Sequence, residues 1–243
     1  MLPIGRPQGL NSAVDGLIAA GRYSDALALP AQFGTRGPRD TCSELLVQIN
    51  LAEAEYNLGR WSEAWERLRG LDPLAAMFPI ARAGLAQQRS WIASCTGRPE
   101  VALHHWKRAD IWDLPDNYHA EHYFTGAIAL LAAGDLDAAL GCARAGAAVA
   151  VRPSSKRNAL FIQARVAAAM NDWSLADSLC RSAAGHPYHR QGGDGLLFWG
   201  EVLTRLDWHA QARHAYALAV ERDEESESAR IACKRLRELT HGR

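Results

Sequence analysis

Histidine pairs are the residues best spaced for metal chemistry. His119 and His122 stand three apart on a predicted helix with Glu121 between them. His104 and His105 precede Trp106 on another, and His186 and His189 flank Pro187 and Tyr188. Two imidazoles at this spacing can face one cation, but zinc takes a third ligand and an ordered outer shell. No HExxH and no cysteine cluster supplies one, so these read as surface or capping histidines and no metal or other cofactor is expected. The five cysteines, at 42, 95, 142, 180 and 233, are odd in number and far apart. That argues against a disulfide framework and a CxxC site and for reduced thiols in a cytoplasmic protein. GxSxG, a kinase set and a Cys–His signature are missing, so catalysis is not expected. The glycine-rich stretch 185–200, GHPYHRQGGDGLLFWG, lacks both GxxxxGK[ST] and a preceding strand. It reads as a connector, not a phosphate loop. The segment 110–120, DIWDLPDNYHA, is a second connector with an exposed-looking Trp112.

The elements that carry these residues are helical. The 243 residues balance 27 Lys+Arg against 27 Asp+Glu, which gives no reason to expect a nucleic-acid partner. At 48% hydrophobic and 22% charged, the chain is too apolar for disorder. No run approaches ~18 apolar residues, so no membrane insertion is expected. The first twenty residues lack the charged start and apolar stretch of a signal peptide.

A unit recurs along the chain. Turn residues at Gly21, Gly59, Gly97, Gly134, Asn171 and Asp207 are 38, 38, 37, 37 and 36 apart. Five residues after each stands alanine: Ala26, Ala64, Ala102, Ala139, Ala176 and Ala212. Seven residues before stand Val14, Ala52, Ser90, Ala127, Ala164 and Gly200, five of them Gly, Ala or Ser. Two antiparallel helices joined by a short turn need small side chains where they cross. The turn wants Gly, Asn or Asp, which tolerate left-handed backbone. Tyr23, Trp61 and Trp173 can plug the gap beside the turn. Pro38, Pro73, Pro115, Pro153 and Pro187 are expected to stop each hairpin before the next. Pro30 speaks against a full second helix in the first unit, and PAQFGTRGPRD reads as a loop.

These residues resemble the tetratricopeptide repeat, a helix–turn–helix of about 34 residues. The best unit is LLVQINLAEAEYNLGRWSEAWERLRGLDP, residues 45–73, with Leu51, Ala52, Gly59, Trp61 and Ala64 at family positions. The period is two to four residues longer than the family's, and the first-helix Trp and Tyr positions are mostly unmatched. The resemblance implies an all-α fold, a right-handed α-α superhelix of five to six hairpins. Residues 1–40 hold a degenerate first repeat, 41–221 the solenoid and 222–243 a capping helix. Ala229, Ile231, Ala232, Leu236 and Leu239 give that last helix an apolar stripe.

The resemblance also places first helices on a concave face. Carried over by position, the groove candidates are Glu53, Tyr56 and Asn57; Gln87 and Trp91; Glu121 and Phe124; Asn158, Phe161 and Arg165; Glu201 and Arg205. Ser94, Ile128, Leu131, Asp194 and Leu197 stand beside them. Aromatics with Asn, Arg and Glu suit a peptide segment or partner helix. The family's chaperone-type carboxylate clamp is not expected, because no Lys joins Asn57, Asn158, Arg165 and Arg205. The expectation is a non-catalytic adaptor, a monomer or small homo-oligomer, with a protein or peptide partner. A ligand-responsive sensor and an auxiliary subunit of a biosynthetic or secretion assembly are the alternatives.

Overall fold

The computed structural model describes residues 8–33, 41–185 and 193–240; Pro38, Pro187, His186 and His189 lie outside them. Among the described residues there are fourteen helices and no strand. Six antiparallel hairpins follow one another. They are α1 (Gln8–Ala19) with α2 (Tyr23–Phe33), and α3 (Thr41–Asn57) with α4 (Trp61–Leu68). Next, beyond a short α5 (Asp72–Ala75), come α6 (Pro79–Cys95) with α7 (Pro99–Arg108), and α8 (Asp116–Ala132) with α9 (Leu136–Val149). The last two are α10 (Pro153–Ala169) with α11 (Trp173–Ala184), and α12 (Gly193–Arg205) with α13 (His209–Arg222). A final helix, α14 (Glu227–Thr240), packs on α12 and α13. Each first helix packs on its own partner and on the next first helix, so the chain is an all-α superhelix.

One turn geometry repeats six times. Every anchor has positive φ, from +59° at Asp207 to +80° at Gly134. At each, the anchor N–H donates to the carbonyl three residues back and the following N–H to the carbonyl five back, as in Gly59→Tyr56 and Arg60→Glu55. This closes the orphan carbonyls at the first helix's end. Asp135 and Asp172 then accept from the N–H groups of Ala138 and Leu175, capping α9 and α11.

The small residues do what helix crossing requires. All six alanines after the anchors have no exposed surface, nor do Val14, Ala52, Ser90, Ala127 and Ala164 before them. Ser90, the polar member, donates from Oγ to the Ala102 carbonyl at 2.9 Å, so its burial leaves no unmet donor. Other contacts seat a ring on a glycine. Trp106 lies over Gly126, Phe124 over Gly146, Phe161 over Gly195 and Tyr216 over Gly200, each where a Cβ would fall 2.3–2.6 Å from a ring atom.

That packing corrects two groove assignments. Phe124 and Phe161 are 3% and 6% exposed and are spent inside the solenoid on Gly146 and Gly195. The prolines differ from expectation as well. Pro153 begins α10, Pro115 caps α8 and Pro73 lies in the first turn of α5, where a missing N–H costs nothing. They start helices and do not stop them. Pro30 lies within α2, which runs three residues beyond it. The ring removes one donor near the helix end without ending it.

Candidate functional site

Where the later hairpins meet, a cleft of about 570 Å³ opens. Ser94 and Cys95 come from α6, Ile128, Leu131 and Ala132 from α8, and Arg165, Ala168 and Ala169 from α10. Trp173 comes from the start of α11, and Phe198, Glu201, Val202 and Arg205 from α12. Four consecutive first helices therefore supply one site. Its lining is mainly apolar, with two guanidinium groups and one carboxylate.

Both arginines are held by aromatic faces. Arg165 stacks on Phe198, 4.5 Å from the ring centroid, and donates to the Asp194 carboxylate at 2.7 Å. Arg205 lies 5.6 Å over Trp173. Such stacking holds a cation in place while leaving its edge for a ligand. Burial pushes the Glu201 carboxyl up, against the pull of Arg165 and Arg235.

The other candidates lie on earlier first helices. Tyr56 stacks on Trp61 at 5.7 Å and meets Trp91 at 6.5 Å. Glu53 accepts from Gln88 Nε2 at 3.0 Å, and Glu121 from Ser155 Oγ at 3.3 Å. Burial, then the charges of Asp15 and Glu121, raise the Glu53 carboxyl to about 7. Burial also raises Glu121, opposed by Ser155 and Arg152. Burial, then Asp194, raises the Cys95 thiol to about 12, which makes it a poor nucleophile.

Of the sequence candidates, the cleft gathers Arg165, Glu201 and Arg205, with Ser94, Ile128 and Leu131 from the positions beside them. Glu53, Tyr56, Trp91 and Glu121 lie along the earlier first helices. Gln87 donates to the Tyr118 carbonyl, Asn57 back-bonds to Glu53, and Asn158 accepts from Arg157, so their side chains have local partners. Sequence reasoning missed Phe198 and the cleft role of Trp173. Leu197, placed in the groove by position, is 7% exposed and packs in the core; its neighbour Phe198 faces the cleft. A one-residue slip turns a helical side chain by about 100°.

The histidines take separate partners. His119 Nε2 lies 3.1 Å from the Leu114 carbonyl, and its ring meets Trp112. His122 stacks against Trp106, and burial, then His119, lowers it to about 4. Among the described residues no group of three or more His, Cys, Asp and Glu is placed to hold a metal ion. No described helix is long and apolar enough to cross a membrane.

Glu53 gives a pH test. The folded chain holds its proton more tightly than the unfolded chain, so its contribution falls as pH rises from the ordinary carboxylate range through about 7. Glu53→Gln keeps an acceptor for Gln88 and mimics the protonated form. Wild type and variant should melt alike near pH 5. Near pH 8.5 the variant should be more stable by about 1 kcal/mol, a figure reduced for partial exposure. Equal melting at both pH values in thermal denaturation would show that burial does not hold the proton on Glu53.

No family model matches the sequence, and no curated protein matches it. Solved structures are similar. A thermophilic TPR protein of Thermus thermophilus superposes with a TM-score of 0.59 at 18% identity, over 82% of this chain and all of the other. Looser similarity extends to the TPR2AB domain of yeast Sti1 in its complex with pHSP90, with a TM-score of 0.43, 12% identity and coverage of 96% and 98%. Haemophilus influenzae LpoA gives a TM-score of 0.44 at 15% identity, over 91% of this chain and 38% of that one. At such identities the likeness is one of fold, and in fold this chain is a divergent solenoid of tetratricopeptide-repeat type.

Proposed function

We propose that the chain is a non-catalytic interaction scaffold that binds a peptide segment of a partner protein along the interior of its superhelix. The observation that supports this most is convergence. Four first helices from successive hairpins line one mainly apolar cleft with Arg165 and Arg205 held ready on aromatic rings. An extended segment would set an apolar side chain against Phe198 and Trp173 while its backbone carbonyls or a carboxylate meet the guanidinium edges.

The test places a photo-crosslinking amino acid at 198 and, separately, at Arg213 on the exposed side of α13. Position 198 should crosslink one discrete segment of one partner and position 213 should not. Arg165→Ala should then weaken that partner about tenfold, the scale of a lost charged hydrogen bond, with little change in melting. Equal crosslinking at both positions, or an unchanged affinity, would move binding to another surface.

A further inference from the structure

The first and last hairpins meet. Ser24, in the first turn of α2, donates its backbone N–H to Glu225 Oε2 at 2.8 Å, across 201 residues of chain. The Tyr23 hydroxyl bonds the Asp223 carboxylate, and both residues are buried, at 3% and 5% exposure. Asp223 Oδ1 comes within 3.2 Å of where a Cβ on Gly21 would stand, and the Glu227 carboxyl within 3.0 Å of one on Gly59. The connector from α13 to α14 lies on the turn of the first hairpin, and the first residue of α14 on that of the second.

We infer that this junction is a latch: it closes the superhelix into a ring around the groove and opens, without unfolding, to admit what binds there. The other joins between hairpins are built on apolar cores, with polar pairs such as Glu53–Gln88 and Arg165–Asp194 beside them. The large core clusters run through neighbouring hairpins, and among the described residues none spans the first and the last. Nor does any extended helix–helix packing among the described residues join the two ends. The closing contacts are polar and come from turns, a connector and one helix end. Such a join is the low-stability element of a structure whose other interfaces rest on buried apolar cores. One buried oxygen of the latch, Asp223 Oδ1, has no hydrogen-bond partner among the described residues. That cost weighs against closure and keeps the two states close in free energy.

Closure also confines the groove. Asp194 at the start of α12 pairs with Arg165 in the cleft, and Gly193 beside it packs against Asp223. The groove walls and the latch are thus one mechanical unit. Release at Asp223 and Glu225 frees the start of α12, which carries Asp194, the partner of Arg165.

Small-angle scattering with two variants tests the latch. Glu225→Ala removes the acceptor. Ser24→Pro removes the donor in the first turn of α2, where its N–H has no helical partner to lose. Both should keep wild-type circular dichroism and show a larger radius of gyration and maximum dimension. The double variant should open no further than the stronger single one, because both act on one bond. Cys95 is exposed toward the cleft, so its alkylation by a maleimide too bulky to pass the closed ring, read by mass spectrometry, should be several-fold faster in the opened variants. Scattering superposable on wild type in both variants would overturn the latch. Expanded scattering with an unchanged Cys95 rate would overturn its control of the groove.

Discussion

Gly200→Leu is expected to be among the most damaging single substitutions in the chain, lowering unfolding free energy by about 3 kcal/mol or more. A Cβ at 200 would lie 2.3 Å from a ring atom of Tyr216, and that ring has nowhere to go. Tyr216 is 1% exposed, fixed in the C-terminal core cluster, and its hydroxyl lies 3.1 Å from Thr204 Oγ1. Moving it parts α12 from α13, so the loss includes the apolar contacts of the last hairpin. Gly141 in α9 supplies the control. It is exposed with nothing within 4 Å of an added Cβ, so Gly141→Ala should stabilise by about 0.5–1 kcal/mol through helix propensity. Urea denaturation of both variants decides the matter. A Gly200→Leu midpoint near wild type would mean that the hairpin crossing is looser than its geometry.

Gly200 also marks what the sequence could and could not disclose. Its position, seven residues before Asp207, follows from the repeat alone, as do the left-handed turns and the buried alanines. Backbone sterics at a turn and closest approach at a crossing each leave few residue types permissible, so both are written in composition. Groove residues carry no such constraint. Phe161 and Phe198 are the same residue type on equivalent helices, yet one fills the space over Gly195 and the other lines the cleft. Only the partner surface distinguishes them: a glycine on the adjoining helix accepts the first ring, and none faces the second. The latch was not legible at all. Ser24 and Glu225 belong to the first hairpin and the last connector, and their meeting depends on the superhelix curving through a full circuit. Small rotations added at every hairpin decide that, and no local motif records the sum.

The second large effect should come from Arg67→Met. Glu55, on α3, is 7% exposed within the second hairpin. Arg67 on α4 grips it with two bonds, Nε to Oε2 at 2.9 Å and Nη2 to Oε1 at 2.5 Å, and spends Nη1 on Gln48 Oε1 at 2.8 Å. The charge on Glu55 is tolerable only because this fork meets it. Taking the guanidinium away leaves a buried carboxylate without its cation, and the expected loss is about 2–4 kcal/mol. Arg67 is partly open to water, which sets the lower end of that range. The double variant Glu55→Leu/Arg67→Met should recover most of the loss, since an apolar pair of similar volume carries no desolvation cost. A double-mutant cycle in denaturant measures the coupling directly. If the double variant is as unstable as the single one, the fork's geometry holds α3 against α4 through more than charge. If Arg67→Met alone is harmless, water reaches Glu55 and the pair is only a surface contact.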